Sequence, residues 1–197
     1  MLSQQIKEIL IKHQTIGIFV SGGFDSALLL YLCHLLKNNN TFVLFTVARE
    51  NNSVFYSKQV VDWIDTKFNT KSEINFVGTS LVHHSMQVIS GIKEAKKFPI
   101  DVIILGDTKN PPNLPDGPTR PKSNDSRVLQ PFFEITKDYL IKEAITLGIQ
   151  DLIHITGTCG RGSNPACQEC WQCQEKTWAL KQNNLVPPRG IEPLFVG

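Results

Sequence analysis

The 197-residue sequence contains no stretch approaching the ~20 consecutive apolar residues that a membrane-spanning helix needs. Its first segment, MLSQQIKEILIKHQ, is amphipathic and lacks the uninterrupted apolar centre of a secretory signal. There is no strongly basic run and the formal net charge is only +2, so nothing favours a polyanion partner or direct nucleic-acid binding. No internal repeat is present, and the phosphate-binding string GxxxxGKS or GxxxxGKT is missing, which weighs against ordinary γ-phosphate transfer. Cysteine is scarce and unevenly placed. Of five, four fall between positions 159 and 173, whereas a secreted disulfide scaffold would spread them along the chain. These absences lead to the expectation of a soluble, cytoplasmic protein without a membrane partner. The 41% hydrophobic content is enough for a real core and argues against global disorder.

What is present alternates. Residues 3–12 carry Ile6, Ile9 and Leu10 at helical spacing. The runs at 16–20 (IGIFV), 41–47 (TFVLFTV) and 101–105 (DVIIL) read as buried strands, and 73–77 as a shorter strand. Helical segments at 27–36, 54–68 and 86–98 separate them. Strands alternating with helices predict an open parallel sheet with helices on both faces, a Rossmann-like α/β fold. Ligands of such sheets sit beyond the carboxyl ends of the strands. The segments SGGFDS, Ala48-Arg49-Glu50-Asn51 and Gly106-Asp107-Thr108 fall there. Residues 107–127 hold five prolines and read as a long loop. A helix over 136–147 follows, capped by Thr136 and closed by Gly148, then a short strand at 152–155, the cysteine cluster and a helix over 174–181. The expected division is 1–150 for the main domain, 151–184 for a small cysteine-bearing segment, and a flexible tail at 185–197.

A buried strand running into two glycines and then a helix makes a phosphate cradle. Gly22 and Gly23 let backbone N–H groups converge, and the helix N-terminus faces the anion. Ser21 and Ser26 add hydroxyls. Asp25 repels phosphate on its own, so it reads as a helix cap or as a partner of Mg2+. The bland alternative is a tight turn without a ligand, but the full string Ser21, Gly22, Gly23, Phe24, Asp25, Ser26 in this context is more specific than a glycine pair.

Cys159, Cys167, Cys170 and Cys173 form C-x7-C-x2-C-x2-C among turn-forming residues. Two residues between ligands let both sulfurs face one ion, and four thiolates suit structural zinc. Soft thiolates also suit an iron–sulfur cluster, and spacing leaves both open. Cys33 lies within an apolar helix and reads as core.

SGGFDS resembles the SGGxDS signature of the PP-loop ATP pyrophosphatases. The resemblance implies ATP cleaved to AMP and pyrophosphate through an adenylated substrate. With a four-cysteine cluster near the end, and Gln130-Pro131-Phe132, Lys137 and Thr158-Cys159 in the same order, the chain is similar to the 7-cyano-7-deazaguanine synthase family. That likeness implies an ATP-dependent ligase that adenylates 7-carboxy-7-deazaguanine, takes ammonia to the amide and dehydrates this to the nitrile in queuosine biosynthesis. It implies ATP, Mg2+ and Zn2+ as cofactors, the small carboxylate and ammonia as partners, and admits a homodimer. It casts Ser21, Asp25 and Lys137 as catalytic, with Val47 and Gly106 beside the nucleotide. The segments 46–51 and 90–93 depart from that family's pattern, which keeps open an enzyme adenylating another acceptor, such as a nucleic-acid base or protein group. A non-catalytic ATP- and zinc-binding module is the alternative of a different class.

Other residues carry two readings each. Lys137, in the first turn of its helix, either reaches the α-phosphate or is an exposed helix lysine. Asp107 either binds substrate or magnesium or merely forms a turn. Arg120, Lys122 and Arg127 either close over an anion or belong to a solvated loop; Arg120 and Arg127 join Asp107 as substrate candidates. Arg161 faces an anion or solvent. His83 and His84, being adjacent, point apart and read as a surface pair. Trp63 and Trp178 read as core, and Trp171 as packing on the metal loop or stacking on a purine.

Overall fold

The computed structural model describes residues 2–47, 49, 52–78, 84–114, 117–118, 121–157, 159–163 and 166–185, with His84 and Ser85 described by their backbone alone. Five strands form one sheet in the order β3-β2-β1-β4-β5: β1 Thr15–Phe19, β2 Thr41–Thr46, β3 Ile74–Phe76, β4 Val102–Ile104 and β5 Val128–Leu129. Every pairing is parallel. The helices are α1 Leu2–Lys12, α2 Phe24–Leu36, α3 Ser53–Phe68, α4 His84–Ala95, α5 Lys137–Thr146, α6 Asp151–Ile155 and α7 Trp171–Gln182.

The two-residue period of a strand divides the core in two. Ile16, Ile18 and Val20 point into one cluster with Leu44, Val102, Ile104 and the apolar faces of α2, α5 and α7. Phe19, Phe45, Val47, Ile103 and Leu105 point into the other, with Ala95 of α4. Both faces of the central strands are therefore covered, the Rossmann-like arrangement that the apolar runs predict. Leu152, Ile153, Ala179 and Leu180 share the first cluster with β1. Among the described residues, no helix is long and apolar enough to cross a membrane.

Two elements differ from the sequence reading. Residues 152–155 form the end of helix α6, with Leu152 and Ile153 buried, and not a strand. Four residues, three of them apolar, are too few for their period to separate the two states. The fifth strand is instead β5, two residues long, at the end of the proline-rich segment. It is fixed on β4 by Ile103 N–H to Arg127 O (2.8 Å) and Leu105 N–H to Leu129 O (2.9 Å).

Chain order reverses between β1 and β4. A crevice opens at such a switch point, beyond the carboxyl ends of the two strands. The turn 21–23 leaves β1 on one side of it, and Gly106, Asp107 and Thr108 follow β4 on the other.

Candidate active site and metal centre

The loop after β1 is held from within. Ser26 Oγ donates to Gly23 O (3.0 Å), accepts from Ser21 N–H (3.1 Å) and lies 3.1 Å from Ser21 Oγ. Below it, Ser57 Oγ lies 2.7 Å from both Val20 O and Ser53 O, either of which can accept its one proton, and sits 3.1 Å from Thr46 Oγ1. These buried hydroxyls bind the ends of β1 and β2 to α3.

The glycines have different duties. Gly22 has φ +78°, and a Cβ there would lie 2.6 Å from Tyr56 Cβ and 2.8 Å from Ser57 N, so packing and backbone both demand glycine. A Cβ at Gly106 would meet Ser26 N and Asp25 C at 2.8 and 2.9 Å, so the segment after β4 approaches the start of α2 closely. Gly23 is different. Its φ is −83°, and a Cβ would meet nothing nearer than Ser21 Oγ at 3.4 Å. The fold leaves room at Gly23, on the side that faces the crevice.

That crevice is a cavity of about 280 Å³. It gathers Ser21, Gly23, Phe24, Asp25 and Ser26 of the loop, Val47 and Arg49 after β2, Gly106 and Asp107 after β4, and Lys137 of α5. Glu175 and Lys176 of α7 complete one wall, and Cys159 and Gly160 border it. Gly22 stands behind the loop, packed on α3.

Lys137 is buried, not an exposed helix lysine. Its ammonium is 2.7 Å from Glu175 Oε2 and 3.2 Å from Asp25 Oδ2, and Thr108 Oγ1 is 3.4 Å from the same Asp25 oxygen. The N-cap of α2 is Gly23; Asp25 lies in the first turn and pairs with a cation, in place of the expected cap. Asp107 accepts from Gln130 Nε2 at 2.8 Å. Burial holds the Arg49 pKa below its ordinary value, against the opposing effect of the Asp107 charge.

The four clustered cysteines converge. Cys159, Cys167, Cys170 and Cys173 place their sulfurs within 4.8 Å of one another, a set that could hold a metal ion. Backbone donors already point at sulfur: Cys170 N–H to Cys167 Sγ at 3.3 Å and Gly160 N–H to Cys170 Sγ at 3.4 Å. Burial acts to raise the Cys159 pKa, but hydrogen bonds from Ser163 and from the backbone of Cys167 and Arg161 outweigh it and bring the thiol to about 6. Backbone donors at Cys170 and Glu169 lower that of Cys167, whereas burial raises that of Cys173. Thiolate character is the state a metal needs. The cysteine cluster is also tied to the loop after β1, since Gly157 N–H, two residues before Cys159, donates to Gly22 O at 3.0 Å.

Other candidates lie elsewhere. Arg127 is outside the cavity, 3.4 Å from Lys96 O, and Lys122 sits over the Phe133 ring. Arg161 pairs with Glu169 at 2.9 Å, both exposed. Trp171 packs on Gly117, where a Cβ would come within 2.3 Å of its ring. Cys33 is fully buried. Arg120, His83 and the tail 186–197 lie outside the described residues, as do Ala48, Glu50 and Asn51. The sequence reading missed Glu175, Lys176 and the Ser57 hydroxyl lattice. Glu175 and Lys176 stand two and three positions after the last cysteine, and that nearness is the one signal that could have drawn attention to them.

No family model and no curated protein matches the chain. Among solved structures it is similar to NMN synthetase from Francisella tularensis, with 11% identity and a TM-score of 0.53 over 98% of each chain. It is also similar to the U34-tRNA thiolase NcsA from Methanococcus maripaludis, solved with its 4Fe–4S cluster, with 12% identity and a TM-score of 0.51 over 92% of this chain and 73% of that one. At these identities the likeness is one of architecture: the chain has the parallel α/β fold of that synthetase and that thiolase.

Proposed function

We propose that the chain is an ATP-dependent ligase, binding the nucleotide polyphosphate on the loop 21–26 and transferring AMP to a carboxylate acceptor. The observation that carries this reading is the meeting of the loop with the Asp25–Lys137–Glu175 ion set in one crevice at the switch point. The acceptor carboxylate oxygen attacks the α-phosphorus, the bond from that phosphorus to the bridging oxygen breaks, and pyrophosphate leaves with the electron pair. Lys137, fixed between two carboxylates, is a point charge for the α-phosphate as negative charge builds there. Loop N–H groups and the α2 N-terminus hold the β- and γ-phosphates. Of the cavity's carboxylates, Asp25, Asp107 and Glu175, the first two would hold Mg2+, which neutralises phosphate charge when bound.

The acceptor we assign is 7-carboxy-7-deazaguanine, with ammonia attacking the acyl adenylate, on the similarity of the loop and cysteine pattern to 7-cyano-7-deazaguanine synthases. The four thiolates would hold zinc: Zn–S bonds of ~2.3 Å set tetrahedral sulfurs roughly 3.8 Å apart, within the observed spread. Such an ion would join Cys159, Cys167 and Cys170 to Cys173 of α7, the helix that carries Glu175.

A second reading, adenylation of another acceptor such as a nucleic-acid base, draws support from the departure of segment 46–51 from that family's pattern and from Arg49 in the cavity. Sulfur transfer is disfavoured, because Cys33, the cysteine outside the cluster, is fully buried. Pyrophosphate release with 7-carboxy-7-deazaguanine and ammonium, against each alone, tests the assignment. No release with the pair on zinc-loaded protein would reject this acceptor.

A further inference from the structure

Lys176 is a cation of this cavity to which the reading above gives no task. It stands on α7 next to Glu175, on the cavity wall. The residue as a whole is only partly exposed, and its ammonium is enclosed by neighbouring atoms. Two donors of the ammonium are occupied, by Ile153 O at 2.8 Å and Thr156 O at 3.3 Å at the end of α6. An ammonium has three donors. The third has no acceptor among the described residues, and no carboxylate forms an ion pair with Lys176 there.

Lys137 differs in this respect, being flanked by Asp25 and Glu175. The titratable groups that act on Lys176 are Lys137 of α5, Cys173 of α7 and Asp25 of α2, while the end of α6 offers carbonyls. Burial first, then repulsion by Lys137, bring its pKa down to about 8, with Cys173 and Asp25 opposing. An enclosed ammonium without a counter-ion is costly unless a ligand supplies the charge. An anionic group of a ligand seated beside the loop would supply that charge.

We propose that Lys176 is a second phosphate-contacting lysine, which closes on the pyrophosphate portion of the nucleotide from the α7 side while the loop 21–26 holds it from below. Capping α6 uses two of its donors, and the third is the one that reaches the ligand. The proposal rests on the reading that the loop binds a polyphosphate.

The test is calorimetric titration of the metal-loaded full chain with inorganic pyrophosphate, comparing wild type, K176Q and K176R. Glutamine keeps donors for the two carbonyls and removes the charge; arginine keeps the charge. K176Q should bind at least about tenfold more weakly, the low end for a charge-assisted hydrogen bond, and K176R should bind more tightly than K176Q. A purely structural role predicts a lower unfolding temperature for K176Q with pyrophosphate affinity unchanged, and that result overturns the proposal. Wild type that binds neither pyrophosphate nor ATP overturns this proposal and the ligase reading together. If K176Q does not fold, amine labelling of wild type decides, read by peptide mass spectrometry. Pyrophosphate should suppress labelling of Lys176 and leave exposed Lys12 unchanged; equal labelling of Lys176 with and without pyrophosphate overturns the assignment.

Discussion

The Lys137 ammonium lies 2.7 Å from Glu175 Oε2, joining the first turn of α5 to the middle of α7 across 38 positions of sequence. Glu175 is fully buried. Removing one partner of such a pair leaves an uncompensated charge, at a cost of about 3–5 kcal/mol. Lys137→Met should therefore lower the unfolding temperature strongly and abolish pyrophosphate release. Glu175→Gln keeps an acceptor for Lys137 and should destabilise less. Thermal unfolding beside a pyrophosphate assay separates the two variants.

The loop glycines give a sharper contrast. Gly23→Ala should fold with near-normal stability, since its Cβ meets no atom of the protein closely, yet lose much of its nucleotide affinity. Gly22→Ala should lose stability, because φ +78° and contacts near 2.6–2.8 Å both oppose a side chain. Unfolding temperature and ATP affinity, measured on each, should move in opposite proportions.

Metal removal should reach the nucleotide. Cys159 borders the cavity, and Gly157 N–H holds Gly22 O. Elemental analysis is expected to find one zinc per chain. Chelation or Cys173→Ser should lower both the unfolding temperature and ATP affinity. Unchanged ATP affinity in the metal-free folded protein would show the centre to be uncoupled from the loop.

How much of this was legible in sequence depends on where each constraint lies. The central strands are buried on both faces, so each writes itself as an apolar run, and SGGFDS follows one of them directly. The two residues of β5 carry no period, and their partner β4 is what defines them. The pair Glu175-Lys176 looks like a solvated stretch of helix. Its meaning comes from α7 docking between α5 and α6, a tertiary fact that no local pattern holds. Lys137 was placed by order along the chain, and its burial only by the fold.

Acid should weaken the fold in part through Asp65. Burial acts to raise its pKa, but Thr70 and Ser72, bonded at 2.6–2.8 Å, and the charge of His34 lower it overall. A carboxylate whose folded pKa is depressed contributes stability above its unfolded pKa and loses it as pH falls through the folded value. Asp65→Asn should thus be less stable than wild type at pH 7, and the gap should narrow in strong acid, as unfolding temperatures across that range will show.

The account turns on how ATP is cut. Product analysis of ATP incubated with zinc-loaded protein, 7-carboxy-7-deazaguanine and ammonium measures this directly. We predict AMP and pyrophosphate in equal amounts, dependent on the acceptor and lost in Lys137→Met. ADP and inorganic phosphate as the products, or no cleavage with any carboxylate acceptor, would contradict it.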